Sequence, residues 1–175
     1  MIFGGAFDIP ITREKMWSSF VEHPESMIPL LPDCQEFETI SENEYKAKFK
    51  VGISSIKGAM NFQFFVIEKN SPSQIKLTGH GTGIRSVVDM ESIINLEIIP
   101  DGGTKVLLNS DIKVSGLIAS VGTRLIYTFT EKKINEFYKS IKEHVEKELD
   151  VIATTYNDRP TKEKGIFTKI KGKFK

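Results

Sequence analysis

The sequence predicts an α+β fold: a seven-stranded curved antiparallel sheet wrapped around one long C-terminal helix, with two short helices after the first strand. Three observations carry this reading. Between residues 37 and 114, apolar and polar side chains alternate in run after run, as in sheets with one dry and one wet face. After Gly116 the apolar period lengthens to that of a helix. The chain has 175 residues, 39% hydrophobic and 27% charged, which suits one domain with a substantial core.

The elements follow in order. Residues 2–9 read as a short strand, and Thr12 as the N-cap of a helix whose apolar side is Met16, Trp17, Phe20 and Val21. Pro24, Pro29 and Pro32 punctuate a second helical piece carrying Met27, Ile28, Leu30 and Leu31. A strand over 37–41 turns at 41–44 into one where Tyr45, Ala47, Phe49 and Val51 oppose Lys46, Lys48 and Lys50. Met60, Phe62, Phe64 and Val66 repeat the pattern, and Ile75 and Leu77 lead into Gly79, Gly81 and Gly83. Val88, Met90, Ser92, Ile94, Leu96 and Ile98 share the dry face of a long strand. Asp101-Gly102-Gly103 is a hairpin turn, and Val106, Leu108, Ser110, Ile112 and Val114 form the dry face of the last strand. Ile118, Val121, Leu125, Phe129, Ile134, Phe137, Ile141, Val145, Leu149 and Ile152 then mark one face of a long helix.

Several classes of function are disfavoured. A single cysteine, Cys34, precludes an internal disulfide and a multi-thiolate zinc site. No apolar run reaches the ~20 residues of a membrane-spanning helix, and the start shows no signal-peptide pattern, so the expected location is cytoplasmic. The net charge of +1 conceals a body of −4 over residues 1–157 and a tail of +5 over 158–175. An acidic body with a basic tail is not the pattern of a nucleic-acid binder.

Gly79, Gly81 and Gly83 do not form a phosphate loop, because the segment that follows alternates as a strand rather than opening a helix. Glycines two apart share one strand face, where they permit curvature or close approach. His23, His80 and Cys34 show no metal-ligand spacing, and no metal or other cofactor is expected. Nucleophilic use of Cys34 requires a base that the sequence does not place. The strands' dry faces offer Tyr45, Ser92 and Ser110 but no His, Asp, Glu or Lys, so no catalytic residue is expected.

The order of elements resembles the helix-grip architecture of the START and polyketide-cyclase superfamily (SRPBCC). Within it, several motifs resemble the carbon monoxide dehydrogenase G-subunit family. They are Phe7-Asp8-Ile9 with Arg13-Glu14 and Trp17; Leu31-Pro32-Asp33-Cys34; and Val51-Gly52-Ile53 with Ile56-Lys57-Gly58. Gly79-His80-Gly81-Thr82-Gly83 follows, then Gly116-Leu117-Ile118-Ala119 with Val121-Gly122-Thr123-Arg124-Leu125. The family usually has glycine where this chain has Asp33, a small departure at a turn. The resemblance covers about residues 1–145. It implies a cavity for an apolar molecule between sheet and helix, and service to a molybdenum-containing dehydrogenase as an assembly, membrane-recruitment or quinone-handling subunit.

On this reading residues 1–155 form a ligand-binding helix-grip domain and 156–175 a basic amphipathic tail. The candidate ligand-binding residues are Phe49, Met60, Phe62, Phe64, Met90, Ser92, Leu108, Ser110, Ile112 and Val114 from the strands, with Ile118, Val121 and Leu125 from the helix. Periodicity alone leaves open whether they enclose a cavity or pack as solid core. One helix on a curved sheet leaves volume to fill, and methionine suits adaptable apolar surfaces. In the tail, Ile166, Phe167, Ile170 and Phe174 would form a narrow helical stripe flanked by Lys169 and Lys173, with Lys171 opposite. That pattern fits an anionic membrane surface. The expectation is non-catalytic binding of a lipid or isoprenoid quinone at the inner face of the cell membrane. The alternatives are a recruitment or assembly subunit without a small ligand, and a cyclase-like enzyme.

Overall fold

A computed structural model describes residues 1–157 of the chain. Strand β1 (Ile2–Ile9) leads into α1 (Arg13–Trp17), which a π turn extends through Ser18–Glu22. Thr12 caps α1, its hydroxyl accepting the Lys15 amide at 3.2 Å. Helix α2 (Pro24–Met27) ends in a 3-10 turn, Ile28–Leu30. Strands β2 (Cys34–Ser41), β3 (Glu44–Ile53), β4 (Ile56–Asn70), β5 (Gln74–Gly83), β6 (Ser86–Ile98) and β7 (Thr104–Gly116) follow. A 3-10 turn (Ile118–Val121) precedes helix α3 (Thr123–Asn157).

The seven strands form one antiparallel sheet in the order β1-β7-β6-β5-β4-β3-β2, with β1 closing against the last strand of the meander. This is the helix-grip arrangement, with α3 lying on the concave dry face. The core there has two separate parts. One joins Ile9, Met16, Trp17, Val21, Met27, Ile75 and Leu96 to Ile141 and Val145 in the later half of α3. The other joins Val51, Ile53 and Met60 to Ile118 and to Ile126 near the start of α3. Aromatic stacking ties β1 to the helix: Phe3 on Tyr127 at 4.9 Å between ring centres, and Phe7 on Tyr138 at 4.8 Å.

The glycines of β5 have a packing role. Gly79 pairs with Phe64 and Gly81 with Phe62 across β4, and a Cβ on either would collide with that ring. Their missing side chains let two aromatic rings lie against the sheet.

The long apolar stripe expected to be one helix is broken. Gly122 adopts φ 91°, ψ 150°, a region open essentially to glycine alone, so Ile118 and Val121 belong to a separate 3-10 turn. Ser86 anchors that turn. Its hydroxyl accepts the Ile118 amide at 2.9 Å and donates to the Ile84 carbonyl at 3.0 Å. Ile98, expected on the dry face, ends β6 beyond the core and is 62% exposed.

Gly122→Ala meets no steric obstacle, because nothing lies within 4 Å of the added Cβ. Its cost is therefore backbone strain, expected to be about 1–3 kcal/mol in equilibrium denaturation. Unchanged stability would contradict this account of the break.

Candidate functional site: a cavity between sheet and helix

Between the two cores the concave face is hollow. A cavity of about 350 Å³ is bounded by the middles of the strands and by Phe129, Thr130, Lys133, Ile134 and Phe137 of α3. The same progression runs along each element. On β4, Met60 is in one core, Phe62 and Phe64 reach the cavity, and Val66 packs against the other core. On β7, Val114 lies at one closed end, Ile112, Ser110 and Leu108 at the cavity, and Val106 at the other end. On α3, Ile126 and Ile141 mark the two closed ends. They are about 22 Å apart at 1.5 Å per residue.

Of the candidate residues, Phe49, Phe62, Phe64, Met90, Ser92, Leu108, Ser110 and Ile112 lie on the cavity wall. Met60, Val114, Ile118 and Val121 do not: they belong to, or pack against, the closed core beside the start of α3. Alternation assigns a face but not a depth along the sheet. Leu125 is displaced for another reason. Within α3, at about 100° per residue, Ile126 lies roughly 20° round from Phe137 and Leu125 roughly 120°, so Ile126 is buried and Leu125 is 48% exposed. The tail residues Ile166, Phe167, Lys169, Ile170, Lys171, Lys173 and Phe174 lie outside the described residues.

The cavity's mouth is not legible in the sequence. Leu31, Pro32, Asp33, Lys50 and Lys133 also line the cavity, and the partly exposed side chains of Asp33 and Lys133 mark where it meets solvent. Asp33 has φ 64°, in the left-handed region that favours glycine. Its carboxylate accepts a hydrogen bond from Lys133, and its carbonyl accepts the Lys50 amide at 2.9 Å. Lys133 also donates to Glu136 at 2.7 Å and sits 5.7 Å from the Phe129 ring centre. Partial burial pulls the ammonium's pKa down, but the bonds to Asp33 and Glu136 outweigh it and leave Lys133 above the ordinary lysine range. Lys133 in turn holds Glu136 below the ordinary carboxylate range. The expectation of no charged group at the cavity therefore needs correcting. The strands' dry faces carry none, whereas a loop and the helix bring Asp33 and Lys133 together across 100 residues of sequence.

Deep on the sheet wall, Ser92 and Ser110 are paired across β6 and β7, with their hydroxyl oxygens 2.7 Å apart. The other polar candidates lie elsewhere. His80 contacts Asp89 at 2.6 Å, both exposed, and Asp111 contacts the N-terminal ammonium at 3.2 Å. His23 contacts Glu25 at 3.3 Å in the α1–α2 region. Burial pushes the Cys34 thiol up, away from the thiolate a nucleophile requires. Among the described residues, no group of three His, Cys, Asp or Glu side chains is placed to hold a metal ion.

A long helix gripped by a curved sheet around an apolar cavity defines a helix-grip, START-like ligand-binding protein. The profile of the carbon monoxide dehydrogenase G-subunit family (CoxG) matches residues 5–146, and the chain belongs to that family. Among solved structures, a conserved protein from Geobacillus kaustophilus is 27% identical with a TM-score of 0.77, covering 84% of this chain and 96% of its own. A START superfamily protein from Mycobacterium smegmatis is 13% identical with a TM-score of 0.65, covering 83% and 97%. A Thermus thermophilus protein is 12% identical with a TM-score of 0.63, with the same coverages. The last two show the fold alone. No curated protein matches the chain in sequence. Fold and family together support the binding of a hydrophobic ligand.

Lys133→Met is expected to lower stability at neutral pH by removing the cation that bridges Asp33 and Glu136, leaving Glu136 only the exposed Lys132 at 3.7 Å. The loss should shrink in acid, as Glu136 protonates below the ordinary carboxylate range. It should shrink again in base, as Lys133 of the parent deprotonates above the ordinary lysine range. Denaturation midpoints of both proteins from acid to alkaline pH check this, and a pH-independent difference would contradict it.

Proposed function

We propose that the protein is a non-catalytic carrier of an apolar small molecule, a lipid or an isoprenoid quinone, held in the cavity between sheet and helix. One observation carries the reading: an apolar cavity of about 350 Å³ with charged groups only at its mouth, where Lys133 and Asp33 bind each other. That volume lies within the usual range for small-molecule sites. Apolar burial supplies the affinity, at ~25 cal/mol per Å² removed from water. Strand dry faces without His, Asp, Glu or Lys favour holding a ligand over acid–base chemistry.

In this reading the basic tail brings the carrier to the cytoplasmic face of the cell membrane, where such ligands partition. Leu149, Val151 and Ile152, exposed near the end of α3, support it as apolar groups that adjoin the tail in sequence. Five net positive charges would add an attraction of ~1 kcal/mol each near an anionic surface, weakened by salt. Family membership supports a molybdenum-containing, carbon monoxide dehydrogenase-like enzyme as the partner that exchanges ligand with the carrier.

Organic extraction of natively purified protein, followed by mass spectrometry, is expected to yield an apolar species near one per chain. Ile112→Trp, which fills the cavity, should reduce that loading while the protein stays folded. A clean extract together with no binding of added quinones or lipids would contradict the carrier reading. Removal of residues 158–175 is expected to abolish sedimentation with anionic liposomes at low salt. Retained sedimentation would contradict the tail's role.

A further inference from the structure

We infer that the cavity selects an uncharged ligand with a hydrogen-bond-accepting oxygen, such as a ketone carbonyl, at its leading end. That oxygen seats against the Ser92–Ser110 pair and the apolar remainder points toward the mouth. The inference rests on the carrier reading and adds the chemical class and the orientation of what is carried.

Hydrogen-bond accounting carries it. Ser92 and Ser110 are each 3% exposed and lie among apolar neighbours on the cavity wall. Their mutual bond uses one of their two hydroxyl hydrogens. Among the described residues neither side chain has another partner. Whichever hydroxyl donates to the other, one hydrogen remains, and the pair presents one O–H donor to the cavity. An unpaired polar group in such surroundings is costly, so an acceptor on the ligand is rewarded there.

Charge distinguishes the acceptors. The cations nearest the cavity, Lys50 and Lys133, are at its rim, and Lys133 is already bonded to two carboxylates. A carboxylate or phosphate carried to the serines would lose its hydration with one neutral donor in exchange. A ketone, quinone-like or ester oxygen loses far less. The pair also has built-in redundancy, because removing either serine frees the other's hydrogen for the ligand. Single Ser→Ala variants should therefore retain the acceptor preference, and only the double variant should lose it.

Two neutral probes of matched shape, 2-undecanone and undecane, test this by competition against a bound fluorescent apolar dye. Relative to the full-length parent, S92A/S110A is expected to weaken 2-undecanone about five-fold, the size of one neutral hydrogen bond. Undecane should be unchanged or tighter, and S92A and S110A alone should stay within two-fold of the parent for both probes. An equal change for both probes in the double variant would overturn the inference. An independent readout needs no substitution: the infrared carbonyl stretch of ¹³C-labelled 2-undecanone bound to the parent. It should lie below its position in hexane, and a hexane-like frequency would overturn the inference. If neither probe displaced the dye from the parent, the cavity reading would fail and this inference with it.

Discussion

A single helix must cover the concave side of a seven-stranded sheet, and it does not have enough side chains to fill it. The packing follows from that shortfall. At one end, α1, α2 and the later half of α3 supply extra apolar groups, among them Trp17, Met16 and Val145, and the space closes. At the other end, the 3-10 turn before α3 adds Ile118, and the ends of β3 and β4 add Ile53 and Met60. Nothing is left to cover the middle, where Phe129, Ile134 and Phe137 stand off from Phe64, Leu108 and Ile112. The cavity is thus the part of a core that one helix leaves unfilled. Apolar side chains with no protein partner there are a standing preference for an apolar guest.

Charge is arranged so that this preference survives. Lys133 could reach an incoming anion, but Asp33 and Glu136 hold it at the rim. The arrangement uses a residue in an awkward conformation, since Asp33 occupies a backbone region where glycine is more comfortable. What glycine could not supply is the carboxylate that meets Lys133. The same contact joins the loop after α2 to the first third of α3, both of which line the mouth.

Strand faces were legible in the sequence because the period of two is strict. Phe62, Phe64, Leu108 and Ile112 are on the dry face where alternation puts them, and the β5 glycines sit beneath aromatic rings rather than around a phosphate. Depth was not legible. Met60 and Phe62 are two residues apart on one face of β4, yet one is in solid core and the other on a cavity wall, because the difference arises from what the opposing elements bring. The break at Gly122 left no periodic signal, so Leu125 continues the spacing of Ile118 and Val121, whereas the inward face of α3 carries Ile126. The Asp33–Lys133 bridge left no trace in the sequence, since nothing local links an acid in a loop to a lysine 100 residues on. The Ser92–Ser110 pair was half legible: both serines could be placed on the dry face, but their direct bond depends on the β6–β7 register.

The central claim, a cavity between two filled cores, is tested most directly by methyl NMR of the protein titrated with a neutral apolar probe such as 2-undecanone. The account predicts that shifts concentrate on the methyls of Met90, Leu108, Ile112 and Ile134. The methyls of Met60, Ile118 and Ile126 at one closed end, and of Ile141 and Val145 at the other, should stay nearly still. Shifts spread evenly over both cores, or confined to the exposed Ile67 and Ile93, would contradict it.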